Sequence, residues 1–506
     1  MRPGSIAPHG TMRISGLDLG IVIAYLAGVT LFGLRFGRGQ TSLREYFLSS
    51  RAAPWWALAG SIVATETSTL TIVSTPGIAY AGNLGFLQVV MGYLVARVIL
   101  CLVFLPRYFR GEFYTAYQYI EKRFGPRVKS ATASVFLVTR ALAEGVRLNA
   151  IGKVVSVALG TGESASVAIM TALTILYTFE GGMRAVIWTD MAQLVLYLGG
   201  SAAAFFLLLH KIPGGWSEVT RVAAASGDKL QVFNFRLSLT NSYTFWAGVI
   251  GGTFLTMASH GTDQTMVQRL LAARNERDSK KALLASGVVI FVQFSLFLLI
   301  GVMLYVFARH TGLLAPGGDT DRLFPEFIVR YLPSGLSGLV LAAIFAVAMS
   351  SASGALNSLA SSTIVDFQHL RRGKALDDRR LVKTSRWVTA GWGLVLGGLG
   401  LLHWGVVLVA GLTIASVTYG GLLGVFLLGM VSRRSTSRGA LAGLAAGLAI
   451  MIAVQYAQPL AGVFGIELRH TIAWTWYVAI GTIVTFSTGW LASRALGGPA
   501  NPQEAR

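Results

Sequence analysis

The sequence predicts an all-α polytopic membrane protein of about 13 transmembrane helices. Three observations carry that expectation. Of 506 residues, 54% are hydrophobic and only 13% are charged, more apolar surface than a soluble domain can hide. The apolar residues come in long unbroken runs, and about 20 such residues cross a bilayer core. Strands of an outer-membrane barrel would alternate instead, and only a helix satisfies every backbone amide within its own segment in lipid.

The spans fall near 17–36, 55–80, 85–105, 129–158, 163–180, 184–210, 244–267, 283–308, 336–365, 386–402, 404–430, 438–456 and 471–493. The first has no small-residue cleavage site after it and reads as a retained helix, not a signal peptide. The loops between spans differ sharply in charge. Of the 42 Lys and Arg residues, 28 lie in one alternate set, including Arg107, Arg110, Arg269, Arg274, Arg379 and Arg433, against 10 in the other. Basic loops face the cytoplasm. The expectation is therefore a multi-pass protein of a bacterial inner (plasma) membrane, with its N-terminus outside and its C-terminus inside. The net charge of +20 then expresses topology, and nucleic acid is not an expected partner. One cysteine, Cys101, excludes an internal disulfide, and seven scattered histidines offer no transition-metal pair.

No loop is long enough for a separate domain; 1–506 reads as one transmembrane unit. No Gly-x-x-x-x-Gly-Lys-Ser/Thr loop occurs, so ATP is not the expected energy source. His, Asp and Glu are not clustered as an intramembrane enzyme would need.

Sites in transporters form where a helix breaks at mid-membrane, and the second span is the weakest helix former. From Thr65 to Thr71 it is mostly Thr and Ser around Glu66. β-Branched and hydroxyl side chains weaken a helix, and a glutamate at mid-depth costs about 3 kcal/mol. The reading is an unwound segment offering carbonyl oxygens to a cation, with a hydroxyl-lined helix contact as the plainer alternative. The ninth span carries Ala346-Val-Ala-Met-Ser-Ser-Ala-Ser-Gly-Ala-Leu-Asn-Ser358. Its adjacent hydroxyls at Ser350 and Ser351 suit a hard cation, although small-residue packing gives the same composition. In Phe179-Glu-Gly-Gly-Met-Arg-Ala-Val-Ile-Trp-Thr-Asp190 the Gly181–Gly182 pair is expected to turn the chain between spans five and six. Asp190 then enters the membrane, where a carboxylate is a functional candidate. Span four holds Glu144 and Arg147 at i,i+3. They form either a structural ion pair, with Glu66 as another possible partner, or a fork for a solute carboxylate at Arg147.

These segments, in this order, resemble the sodium:solute symporter family, relatives of the sodium–glucose, sodium–proline and sodium-coupled monocarboxylate or sialic acid cotransporters. The resemblance runs from about Leu17 to Gly439. It rests also on Asp18-Leu-Gly-Ile-Val-Ile-Ala-Tyr25, Glu45-Tyr-Phe-Leu-Ser-Ser-Arg51, Asp263-Gln-Thr-Met-Val-Gln-Arg269 and Gly421-Leu-Leu-Gly-Val-Phe-Leu-Leu-Gly429. It implies a LeuT-type fold with a 5+5 inverted repeat: an extra helix at 17–36, repeats at 55–210 and 244–431, and two last helices within 438–493. The first helix of each repeat would be broken. It also implies a sodium site of the Ala64, Thr67 and Val347 carbonyls with the Ser350 and Ser351 hydroxyls. Asp190 would lie on a second sodium site or exit route. Glu66, Ser68, Thr71, Arg147 and Thr256 are the candidate solute contacts, and Ser259 and His260 stand at the inner gate. Sugar-transporting members place bulky aromatics there, a departure that counts against a sugar.

The expectation is a sodium-coupled secondary active symporter that imports a small organic solute by alternating access, the solute an organic anion held by Arg147. The alternatives are proton coupling through Glu66, Glu144 or Asp190, a sugar or amino-acid symporter of the same fold, and a non-transporting membrane sensor. The expected partners are Na+, a small-molecule solute and the lipid bilayer. No feature of the sequence fixes an oligomeric state.

Overall fold

The computed structural model describes residues 15–35, 43–49, 52–111, 113–159, 162–312, 320, 323–368, 378–402, 404, 407–457 and 471–496. The basic residues Arg38, Arg51, Arg371, Arg372, Lys374 and Arg506 lie outside them. Among the described residues the chain is helical, with one isolated bridge, Ala53 to Ala273, and no strand. Among the described residues, five stretches are long and apolar enough to cross a membrane: Leu84–Phe109, Met183–Lys211, Glu276–Thr311, Leu336–Phe367 and Ser437–Gln455.

In order, the α-helices are α1 Gly16–Leu34, α2 Leu43–Leu48, α3 Trp55–Glu66, α4 Thr69–Ala81, α5 Leu87–Ile99, α6 Leu105–Phe109, α7 Ala116–Phe124, α8 Pro126–Leu159 and α9 Glu163–Lys211. There follow α10 Gly215–Ala225, α11 Phe245–Gly261, α12 Gln264–Leu271, α13 Glu276–Thr311, α14 Leu323–Tyr331 and α15 Leu336–Ser362. The last four are α16 Asp378–Gly400, α17 Val407–Val431, α18 Ser437–Gln455 and α19 Tyr477–Leu496.

The second span is broken where its hydroxyl run predicts. Thr67 and Ser68 are extended, with φ/ψ of −75/117 and −108/166. Ser68 N–H turns to Thr71 Oγ1 at 3.2 Å and Thr71 N–H to Ser68 Oγ at 3.3 Å, a reciprocal cap that restarts the helix as α4. The seventh span breaks too. Thr262 Oγ1 donates to Ala258 O at 2.8 Å, closing α11, and Asp263 Oδ1 accepts Thr265 N–H at 2.8 Å, opening α12. A π-helical turn at Leu100–Phe104 separates α5 from α6; it precedes Pro106, which has no N–H to donate.

No loop separates spans five and six: Glu163–Lys211 is helical throughout. The chain still doubles back within that run. Thr171 lies with Ala352 and Leu356 of α15, while Asp190 bonds Ser350 of the same helix; a straight helix would hold Thr171 and Asp190 about 28 Å apart.

The broken helices sit inside the bundle. α3 packs on α9, α13 and α15, and α15 packs on α8, α9 and α12. Of the five membrane-length stretches the one containing α15 is the most enclosed, 94% buried. Close approach needs glycine at one point in particular. A Cβ on Gly252 of α11 would fall 2.2 Å from Val89 O of α5. At the other end Asp18 of α1 accepts the N–H groups of Gly335 and Gly338, each at 2.7 Å, and so caps the start of α15.

Candidate functional site

Two adjoining polar centres lie between these helices. The first centres on Asp190 of α9, fully buried. Its Oδ1 accepts the Ser350 hydroxyl of α15 at 2.6 Å, and its Oδ2 accepts Ser61 of α3 at 2.5 Å and Arg269 Nη2 of α12 at 3.0 Å. Arg269 also donates to Ser61 Oγ at 2.9 Å and to Thr265 O at 2.8 Å, and it too is fully buried. Gly354 makes room for it, since a Cβ there would stand 2.8 Å from Arg269 Nη2. The plainer reading of Asp190, a carboxylate wetted from the cytoplasm, is overturned. So is the placement of Arg269 in a basic surface loop.

At the break itself Thr67 N–H is bonded to Val63 O, while Ser68 N–H has gone to Thr71. The Ala64 carbonyl thus loses its in-helix donor and is free for another. Thr67 Oγ1 is held by Val63 O, Tyr197 and Gln293 at 2.8, 3.1 and 3.1 Å. That leaves its backbone carbonyl as the Thr67 group available to a cation. Ala64, Thr67, Val347, Ser350 and Ser351 are all buried, and their neutral oxygens are the donor type a hard cation takes.

The second centre is a cavity of about 280 Å³, at the small end of ligand pockets, which run from about 300 Å³. Every candidate solute residue lines it: Glu66, Ser68, Thr71, Arg147 and Thr256, with Ser259 and His260. Arg140, Asp263, Tyr93, Phe294, Tyr419 and Trp474 also stand in its wall. A larger apolar depression of about 480 Å³, along Leu137, Val138 and Trp392, is lined by no titratable group.

The charges on the cavity wall are paired from behind. Glu66 is bound by Arg97 of α5, which is 1% exposed, and lies 3.4 Å from His260 Nε2. Arg147 is therefore not its partner; Arg147 Nη1 donates to Glu144 at 2.9 Å and reaches Ser351 Oγ at 3.4 Å. Ser351 thereby links the cation oxygens to the solute wall. Sequence reasoning missed Arg97, Arg140, Arg269 and Asp263. Arg97, in the apolar run Val-Ala-Arg-Val-Ile99, carried a usable signal: an intramembrane charge requires a partner.

Residues 46–447 match the profile of the family described as Sodium:solute symporter family. The chain belongs to the sodium:solute symporter family. It is 30% identical to the human sodium/iodide cotransporter over 448 residues, 86% of this chain and 69% of that protein. It is 27% identical to the sodium/sialic acid symporter SiaT of Proteus mirabilis, over 88% of this chain and 90% of that one. A solved structure of a Na+-coupled sialic acid symporter, substrate-bound and outward-open, superposes with TM-score 0.86 at 26% identity, covering 96% of this chain and 99% of that one. The closed transporter Mhp1 follows at TM-score 0.58 and 14% identity, a likeness of fold. The symporter is thus an all-helical multi-pass membrane protein with the LeuT-like fold of these neighbours. It couples Na+ to the symport of a small solute.

Proposed function

We propose that the symporter imports an organic anion together with Na+. Na+ is held by the carbonyls of Ala64, Thr67 and Val347 and the hydroxyls of Ser350 and Ser351. Asp190 serves as a second cation site or as the inward exit. The observation that carries this reading is the packing of α15, which carries the Ser350–Ser351 doublet, against α3, the helix that ends at Glu66. A proton has no use for such a cage of neutral oxygens, whereas a hard cation does. Ser68, Thr71, Thr256 and the basic wall at Arg147 contact the solute, and Ser259 and His260 form the inner gate. Small polar side chains at that gate, in place of bulky aromatics, support an acid over a sugar.

Alternating access follows from the break. Na+ between α3 and α15 stabilises the outward-open arrangement; the solute binds, the outer side closes, and both leave to the low-sodium interior. The arrangement is one of 13 spans with inverted repeats at 55–210 and 244–431, in a bacterial inner membrane, N-terminus outside. The sodium/sialic acid symporters among the relatives support the acid class of solute. Proteoliposome uptake of a carboxylate panel tests the proposal. An inward Na+ gradient drives accumulation, and a proton gradient in Na+-free medium does not. Accumulation driven by protons alone would overturn the assignment of the ion.

A further inference from the structure

We infer that Glu66 selects a solute that carries a hydroxyl or amide N–H beside its carboxylate, and that Glu66 Oε1 accepts that hydrogen. This inference rests on the organic-anion reading above and deepens it.

Glu66 is the last residue of α3, at the edge of the break, and its two oxygens are used differently. Oε2 accepts Arg97 Nη2 of α5, and His260 Nε2 stands 3.4 Å from the same atom. Arg97 is fixed from behind: it donates to Tyr93 O at 3.1 Å and to Ser286 Oγ at 3.4 Å, and its side chain is 1% exposed. Among the described residues, Oε1 accepts no hydrogen bond, yet it is not sealed within the protein. The Glu66 side chain keeps 13% of its surface exposed and lines the solute cavity. Asp263, the other acid in that wall, has no such open oxygen. Its Oδ1 accepts Thr265 N–H at 2.8 Å and its Oδ2 the Tyr419 hydroxyl at 3.0 Å. The Ser68 and Thr71 hydroxyls lie 3.2 Å apart and serve the restart of α4.

An ionised carboxylate oxygen can only accept hydrogen bonds, and closing a site over one that has no donor costs its full desolvation. The charge of Glu66 is already balanced by Arg97. What Oε1 calls for is therefore a donor and not a second countercharge, which selects a hydroxyl or an amide N–H over an ammonium. A solute without that donor strands Oε1 when it fills the cavity. Sites that take a hydrogen from their ligand reject the analogue lacking it far more strongly than apolar pockets reject a missing methylene.

The test uses the full-length chain purified in Na+-containing micelles, with melting followed against matched carboxylates. Lactate is compared with propionate, with 2-fluoropropionate, which keeps the size of the hydroxyl but donates nothing, and with alanine. The same comparison is made with the 3-phenyl acids, and N-acetylneuraminate is added. The expected result is that a hydroxy acid stabilises the wild-type chain, while its unsubstituted and fluoro partners bind about tenfold or more weakly. Glu66→Leu combined with Arg97→Met removes the ion pair as a unit and leaves no charge buried alone. In that chain the preference for the hydroxy acid should shrink to within about threefold. Where the double variant does not fold, the wild-type comparison decides alone. Partners bound within about threefold of the hydroxy acid by the wild-type chain, or a preference that survives in the double variant, would overturn the role of Glu66 and leave the anion reading intact. Tighter binding of alanine than of lactate would overturn the choice of a neutral donor. If no carboxylate stabilises the wild-type chain, the anion reading itself falls, and this inference falls with it.

Discussion

Ser350 gives its hydroxyl hydrogen to Asp190 Oδ1 across 2.6 Å. This bond joins α15 to α9 at the point where Ser61 of α3 and Arg269 of α12 meet the other oxygen of the same carboxylate. Four helices thus converge on one buried acid beside the proposed sodium site. The charge of that acid is balanced by one equally buried arginine.

Asp190→Asn leaves Arg269 as a buried charge without its counterion. Removing one member of such a pair costs about 3–5 kcal/mol, so the variant should melt well below wild type in Na+-containing detergent. Replacing both, as Asp190→Asn with Arg269→Gln, should recover part of the loss. Thermal melting of the three chains checks this, and an Asp190→Asn chain as stable as wild type would contradict it.

Gly354→Ala tests how tightly that arginine is held. The new methyl would lie 2.8 Å from Arg269 Nη2, and Arg269 is bonded to Thr265, Ser61 and Asp190. Overpacking of this kind costs about 1–3 kcal/mol. A lower melting temperature is expected, together with a higher Na+ concentration for half-maximal stabilisation. If neither moves, the guanidinium has room that the geometry denies it.

The break in the second span was legible because its residues are poor helix formers and good caps. The same run, Thr65 to Thr71, supplies both the interruption and the Ser68–Thr71 restart. The serine doublet and Asp190 stand out by residue type and depth, but their roles toward a cation come from the family resemblance. The partners of the charges could not. Glu66 and Arg97 meet across two helices, and loop-charge asymmetry cannot distinguish Arg269, buried in the short helix that follows the break in the seventh span, from a true surface arginine. Between spans five and six the glycine pair marked the reversal, but residue type could not show that helical conformation runs up to it from both sides without a loop.

The reciprocal cap gives a sharper expectation about the break. Ser68→Ala and Thr71→Ala should each cost about 1 kcal/mol. The double variant should cost little more than either, because the two side chains serve each other. Melting temperatures of the two singles and the double decide it. Fully additive losses would mean that the two residues act apart and that the restart of α4 depends on something else.

Equilibrium binding of radioactive sodium to the purified chain bears most directly on the ion site. Wild type should bind Na+ saturably, and Ser350→Ala and Ser351→Ala should each raise the half-saturating concentration by about five- to tenfold, the loss of one oxygen ligand worth about 1 kcal/mol. Binding curves for both variants that overlay the wild-type curve would contradict the placement of Na+ between the broken second span and the serine doublet.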